Sequence, residues 1–344
     1  MFNKMFAFVL LFNLSTRTFA QENWDTTFYV SCKNRLSLGL VVSERSYNID
    51  ISADTGSATA INFDTEARNA IGFIADFDKL ALKLLFKTKE KLNERKGNTR
   101  NSNFFLGIGS NKILFEGSYR FFKGFYDETS GNYIPQFNDT TPYFKSSGMS
   151  ANLIKAKIYY FTNHNKFAYK SVYSCGFRQL RSSFSGVLTA NFMNERIMSD
   201  SSMIPALLQN EYGNSSTIKG LSHTGFGVGA GLTGTLVFFK RFFANLLFVP
   251  SLHAQQRHYH YLNKKGTSGY YATLLLDTRV SLGYNAERFF LLVTGTNDRH
   301  WIKGKGVNIQ PSFISGTFIL GYRFNVANNG WLKKVRSSGI YKKI

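Results

Sequence analysis

The stretch from Gly225 to Leu252, GFGVGAGLTGTLVFFKRFFANLLFVPSL, decides the fold. It divides into two strand-like runs about a tight basic turn at Lys240-Arg241. In the second run Phe242, Ala244, Leu246 and Phe248 share one face, because successive side chains of a strand point to opposite sides. The same unit recurs. AIGFIADFDKLALKLLF turns at Asp78-Lys79, FFLGIGSNKILFEGSYRFF at Ser110-Asn111, and VSLGYNAERFFLLV at Ala286-Glu287. FILGYRF, near the end, reads as one more strand with no return partner. Repeated hairpins of this kind predict an all-β, transmembrane, antiparallel up-and-down β-barrel.

Outward from that stretch, the start of the chain sets the compartment. Residues 1–20 carry Lys4, an apolar run from Met5 to Leu14, and a small-residue exit at Thr18-Phe19-Ala20, which is the pattern of a secretory signal peptide. The run is shorter than the roughly 20 residues a transmembrane helix needs. Export through this leader predicts the outer membrane of a Gram-negative bacterium. The organisation expected is a leader at 1–20, a periplasmic segment at 21–34, the barrel at 35–324, and a basic tail at 325–344.

Composition agrees with a long meander of strands: 16% aromatic residues and 29 Gly against only 5 Pro. The formal net charge of +21 falls to +19 when Lys4 and Arg17 leave with the leader. Dispersed Lys and Arg on an exported chain point to anionic lipid or lipopolysaccharide as the partner, and away from nucleic acid. The two cysteines, Cys32 and Cys175, are expected to be unpaired, and no Cys/His spacing suggests a metal site. No cofactor is expected.

The alternation carries chemistry. Leu80, Leu82, Leu84 and Phe86 oppose Lys83 and Lys87; Ile113, Phe115, Tyr119 and Phe121 oppose Glu116, Ser118 and Arg120. Ile154, Ala156, Ile158 and Tyr160 oppose Lys155 and Lys157; Leu274, Leu276, Val280 and Leu282 oppose Asp277, Arg279 and Ser281. A soluble sandwich also has one apolar and one polar face. Many strands here reach the length of about 9–11 residues that crosses a bilayer at a tilt. Aromatics crowd their ends, as in interfacial girdles. The apolar face should therefore meet lipid. The lumen should be lined by Lys83, Lys87, Glu116, Arg120, Lys155, Lys157, Lys170, Asp277 and Arg279, with the carboxylates Glu116 and Asp277 paired to Arg120 and Arg279.

Turn lengths set the strand count. Short turns fall near Asp78, Ser110, Asn163, Lys240 and Ala286, and longer connections at 53–68, 89–101, 123–148, 196–217, 255–266 and 297–311. Short turns belong on the periplasmic side. The apolar parity switches between Leu36–Val42 and Tyr47–Ile51, which implies a bulge inside one long strand from Arg35 to Ser52, or a hairpin of two short ones. Met149–Phe161 and Lys166–Phe177 read as a hairpin. With Ser183–Asn194 not an independent crossing and Arg196–Thr217 polar and mobile, the count is about twelve strands, with about fourteen as the alternative.

Three segments carry a family resemblance: NKFAYKSVYSCGFRQLRSSFSG (Asn165 to Gly186), KGFYDE (Lys123 to Glu128) and SDSSMIP (Ser199 to Pro205). Through Asn165, Lys166, Phe167, Tyr169, Gln179, Ser182 and the Ser199-Asp200-Ser201 run, the chain resembles domain-of-unknown-function family 4421, outer-membrane barrels of Bacteroidota. Ala168 and Phe184 depart from the family pattern, and Gly321 to Phe324, Gly-Tyr-Arg-Phe, is similar to it. The resemblance implies location and architecture and brings no activity or catalytic residue.

Three functions are compatible with this reading. The first is a channel whose basic lumen attracts a small anionic solute. The second is a closed barrel whose loops bind a partner or lipopolysaccharide. The third, a rim lipid hydrolase, would draw on His253, His258 and His260 near Ser251 and Ser268, but a histidine cluster without a spaced carboxylate is a weak catalytic signal. The chain is therefore expected not to be an enzyme.

Overall fold

The computed structural model describes residues 24–326 and 330, apart from 33, 54–57, 67–68, 79, 89–92, 175, 305 and 327–329. The leader expected at 1–20, Cys175 and most of the tail expected at 325–344 fall outside the described residues. Among the described residues no helix is long and apolar enough to cross a membrane.

Among the described residues fifteen strands follow one another. They begin with β1 (Tyr29–Ser31), β2 (Arg35–Ala53), β3 (Ile61–Asp64), β4 (Asn69–Phe77), β5 (Leu80–Lys87) and β6 (Arg100–Gly109). Next come β7 (Ile113–Asp127), β8 (Lys145–Phe161), β9 (Phe177–Gln179), β10 (Ser183–Met198) and β11 (Ile218–Phe238). The last four are β12 (Phe242–Tyr261), β13 (Thr267–Asn285), β14 (Phe289–His300) and β15 (Val307–Asn325). All strands but β1, β3 and β9 form a closed antiparallel ring in chain order, twelve in number, sealed where β15 pairs with β2 from Val307↔Ala53 to Asn325↔Arg35. The last strand thus finds its partner in the first, and no edge is left in the ring, which a bilayer requires.

The faces follow the alternation. Leu38, Leu40, Ile71, Phe73, Leu188 and Val228 lie exposed on the outside. Ser43, Lys155, Lys157, Asn191 and Asp277 are buried inside. In the opening stretch the inward positions of β11 are Gly225, Gly227, Gly229 and Gly231. A Cβ at Gly227 would lie 2.3 Å from the His253 ring, and one at Gly229 would lie 2.2 Å from Ser251 Oγ. The glycine face is the space that the inward side chains of β12 occupy.

The count of twelve holds, but one pair of segments exchanges roles. The expected strand Lys166–Phe177 is not a crossing: after Phe161 the chain turns into the lumen and forms a one-turn helix at Lys170–Tyr173 with Phe167, Ala168, Tyr169 and Val172 buried. The crossing is β10, which contains the discounted Ser183–Asn194 and pairs along its length with β8 and β11. The reason lies in its two faces. Strand β10 offers Phe184, Leu188 and Phe192 outward against Ser185, Thr189 and Asn191 inward, whereas the aromatic face of 166–177, Phe167, Tyr169 and Tyr173, is taken up by stacking inside the lumen.

The bulge expected in Arg35–Ser52 is absent. Strand β2 is one strand, and its in–out alternation runs unbroken from Ser37 to Ala53. The apolar parity switches because the lumen changes character. Beyond Glu44, β2 leaves β4 and pairs with β3, which pairs in turn with β7, so β4–β6 drop out of the ring. Fewer strands enclose a narrower interior. Here Tyr47, Ile49 and Ile51 point inward and pack with Phe63, Phe122, Ile197, Ile218 and Val307. The segment 196–217, read as polar and mobile, supplies Met203, Ile204, Leu208 and Tyr212 to the same core. Strands β12, β14 and β15 also run further outward than expected, to Tyr261, to His300 and from Val307.

Candidate functional site

The interior is built in layers from the end with the short turns. Lowest is the inward segment between β8 and β10. Gln179 on β9 holds it: its Oε1 accepts the Ala168 N–H at 2.9 Å, and its Nε2 donates to Lys166 O at 2.7 Å. Strand β1 pairs with β9, and the Tyr29 hydroxyl donates to His164 O at 2.7 Å. Inside the barrel, Asn285 Nδ2 donates to Ser171 O and Ser281 Oγ to Val172 O, each at 2.9 Å. The Tyr173 hydroxyl donates to Asn245 Oδ1 at 2.7 Å. Phe161, Phe167, Tyr169 and Tyr173 stack into a column beside Tyr159. Motif residues that carried the family resemblance, Phe167, Tyr169 and Gln179, are thus the clamp of this plug.

Above the plug lies a lattice of charge. Arg279 Nη2 meets Glu116 Oε2 at 2.9 Å, and Arg279 Nε meets Asp277 Oδ1 at 3.2 Å. Lys157 also pairs with Asp277, whose Oδ2 accepts the Tyr159 hydroxyl at 2.9 Å. One turn of the ladder outward, Asp298 accepts Arg120 Nη1 and forms an ion pair with Lys155 Nζ, each at 2.9 Å, while the Arg120 guanidinium lies 3.7 Å from the Phe313 ring centre. The pairing differs from expectation. Arg279 takes both Glu116 and Asp277, and Arg120 takes Asp298, a residue the alternation did not single out. A carboxylate selects its cation across the lumen, and intrastrand spacing does not encode that distance.

The other expected lumen residues divide. Lys170 is buried on the plug, 3.7 Å from Asp76. Lys87 is half-buried at the outer end of β5 and donates to Thr99 O at 2.7 Å. Lys83 faces inward, 5.6 Å from the Phe105 ring, and no carboxylate pairs with it among the described residues. It lines a cavity of about 130 Å³ together with Arg45, Asn103, Tyr173, Thr294 and Thr317. Arg45 is buried there, with Nη2 on Asn101 Oδ1 at 3.1 Å and with Nε and Nη1 unpartnered.

The third layer escaped the sequence reading. Glu195, His223 and His300, from β10, β11 and β14, are all buried. His223 Nε2 lies 2.7 Å from Glu195 Oε2, and His300 Nδ1 lies 3.5 Å from the same oxygen. The Tyr47 hydroxyl donates to Glu195 Oε1 at 2.5 Å. Only the cross-strand register Glu195↔His223 could have hinted at the cluster, and register is not visible in one strand alone. The apolar core described above closes the outer end over this layer. In the loop beyond it, Asp127 accepts the Tyr133 hydroxyl at 2.8 Å, and burial with that carboxylate pushes the Tyr133 phenol up.

The histidine-serine run of the rim falls apart by parity. His253 and Ser251 are buried inside, and Ser251 Oγ accepts Asn191 Nδ2 at 3.2 Å. His258 and His260 sit on the opposite face of β12, where His258 Nδ1 meets Ser268 Oγ at 2.6 Å and His260 Nε2 meets Ser222 Oγ at 2.9 Å. Among the described residues no carboxylate bonds to either ring. Cys32 is a free thiol.

No curated protein matches this chain in sequence. Solved structures with a similar backbone include the outer membrane protease OmpT of Escherichia coli, at 11% identity and a TM-score of 0.38, covering 86% of this chain and 98% of that one. The toluene transporter TodX of P. putida is similar at 7% identity and a TM-score of 0.27, covering 85% and 91%. Neisserial surface protein A is similar at 8% identity and a TM-score of 0.25, covering 82% and 96%. A family profile described as Domain of unknown function (DUF4421) matches residues 23–324, and the chain belongs to that family.

Proposed function

We propose that this protein is a closed outer-membrane barrel that conducts no solute and works by binding at its outer end. The observation that carries the reading is the filled interior. A plug clamped by Gln179 blocks the short-turn end, cross-lumen ion pairs occupy the middle, and an apolar core seals the outer end. The cavity beside Lys83, about 130 Å³, has room for a few water molecules. An excess of lumen cations, which favours an anion channel, is largely taken up by Asp76, Glu116, Asp277 and Asp298.

The partner that fits is a phosphate-bearing lipid such as lipopolysaccharide. Strands of up to 21 residues run well beyond the roughly 9–11 that cross a bilayer, so the outer half stands clear as a folded platform. Where the apolar exterior ends, Tyr119 donates to Asn152 Oδ1 at 3.3 Å and Asn194 donates to Thr224 Oγ1 at 2.6 Å. At that collar Lys123, Arg196 and Lys219 come to nearly one level through Lys123↔Ser150, Ser150↔Met198 and Met198↔Gly220. Among the described residues no carboxylate bonds to the His258 ring of the His258–Ser268 pair, which gives a rim hydrolase little support. Planar-bilayer recording of the purified full chain tests the closed state: silence across many insertions is expected. A stable anion-selective conductance would overturn it in favour of the channel.

A further inference from the structure

We propose that Glu195, His223 and His300 bind one divalent first-row transition-metal ion, with zinc(II) the ion their donor set fits. The candidate ligand atoms, one per residue, lie within 4.8 Å of one another. They come from three strands that β12 and β13 separate in part, so only the closed ring gathers them. Two imidazole nitrogens with one carboxylate oxygen suit zinc(II), iron(II), cobalt(II) or nickel(II). Magnesium and calcium prefer all-oxygen shells, and the absence of a thiolate from this donor set disfavours copper(I).

Charge gives the second argument. Each buried carboxylate of the lower layers has a Lys or Arg within 4 Å: Glu116 and Asp277 have Arg279, Asp298 has Arg120 and Lys155, and Asp76 has Lys170. Glu195 is equally buried, at 1% exposure, yet its partners are two imidazoles and a phenol. A buried carboxylate without a cation is expensive. A metal ion would supply that charge, and the site has the other features of one. The Tyr47 phenol fixes the second carboxylate oxygen, the kind of outer contact that orients a ligand. Metal–ligand bonds of about 2.0–2.2 Å set neighbouring donors about 3.3–3.6 Å apart. The His300–Glu195 separation of 3.5 Å already meets this, and the 2.7 Å contact of His223 needs to open by less than an ångström. Three protein ligands leave one coordination position for water. The ion would tie β10, β11 and β14 together beneath the outer apolar core.

The layer is sealed from solvent, so the metal is supplied while the full chain refolds in detergent. Cobalt(II) serves as the coloured probe and zinc(II) as the competitor. About one cobalt per chain is expected, with d–d absorption of a low-coordinate site that zinc abolishes, and with a raised unfolding temperature in zinc. Glu195→Gln and His223→Gln should each weaken cobalt binding at least about tenfold. Both variants must still show heat-modifiable electrophoretic mobility, so that loss of metal is not loss of fold. His258→Gln, on the opposite face of β12, should bind as the native chain does. Colourless protein after refolding in cobalt would overturn the proposal, leaving a hydrogen-bonded network around Glu195. So would binding that survives Glu195→Gln and His223→Gln but is lost in His258→Gln, which would place the ion at the rim.

Discussion

The inner and outer halves of β2 carry apolar residues on opposite sides of one unbroken strand. In the inner half Leu38, Leu40 and Val42 face out, and Ser37 and Ser43 face in. In the outer half Tyr47, Ile49 and Ile51 face in, and Asn48, Asp50 and Ser52 face out. The backbone alternation is the same in both. What changes is the location of the apolar medium: lipid surrounds the inner half, whereas the outer half stands in water and makes its own core. An apolar parity switch in a barrel strand can therefore mark the membrane surface instead of a bulge.

Substitutions that treat the two halves alike should break or sharpen this contrast. The largest effect is expected inside the membrane zone. Asp277→Ala leaves Lys157 and Arg279 buried without their shared anion and should destabilise the barrel by about 3–5 kcal/mol. Reversible urea unfolding in lipid vesicles measures it, and a change below about 1 kcal/mol would mean the lattice is not as dry as its geometry implies.

In the outer half, Ile49→Ala or Ile51→Ala opens a cavity in a packed core and should cost about 2–5 kcal/mol. That cost should be the same in vesicles and in detergent micelles, because lipid does not touch the site. Leu82→Arg or Ile158→Arg, on the exterior of the inner half, should cost about 2–4 kcal/mol near the bilayer midplane and less in micelles. If the two sets responded identically to the change of medium, the division of the strands into a lipid half and a water half would fail.

The smallest effects separate two lysines of the same strand face type. Lys157→Gln removes one of the two cations on Asp277 and should cost about 1–3 kcal/mol. Lys83→Gln removes an inward cation that no carboxylate pairs with among the described residues, and it should cost less than Lys157→Gln. Equal losses at both positions would show that the lumen does not distinguish paired from unpaired charge. The alternation alone assigns both residues to one lumen face and gives no ground for ranking them.

Much of the inner half was legible because a strand in lipid has two periodic constraints at once: apolar outward, polar inward. Leu82 against Lys83, Ile158 against Lys157 and Val280 against Arg279 fall where period two puts them. The plug was not legible. Phe167, Tyr169 and Tyr173 alternate like a strand face, although they form a stacked column inside the lumen. Only the comparison with β10, whose two faces both have a suitable medium, settles which segment crosses. The same limit hid Glu195, His223 and His300. Each is an isolated polar residue at an inward position, and nothing in its own strand says that the other two stand opposite.

By itself, then, the sequence determines the strand repeat and the lipid face and brackets the strand count at twelve to fourteen, because all three depend on local periodicity and turn length. The tertiary structure decides which segment folds inward, that Arg279 rather than Arg120 meets Glu116, that Asp298 joins the lattice, and that two histidines converge on one buried carboxylate. Closing the ring brings side chains together across a lumen, between residues more than a hundred positions apart, as Glu116 and Arg279 are. Such distances follow from the tilt, stagger and closure of the whole ring, and no single strand carries them.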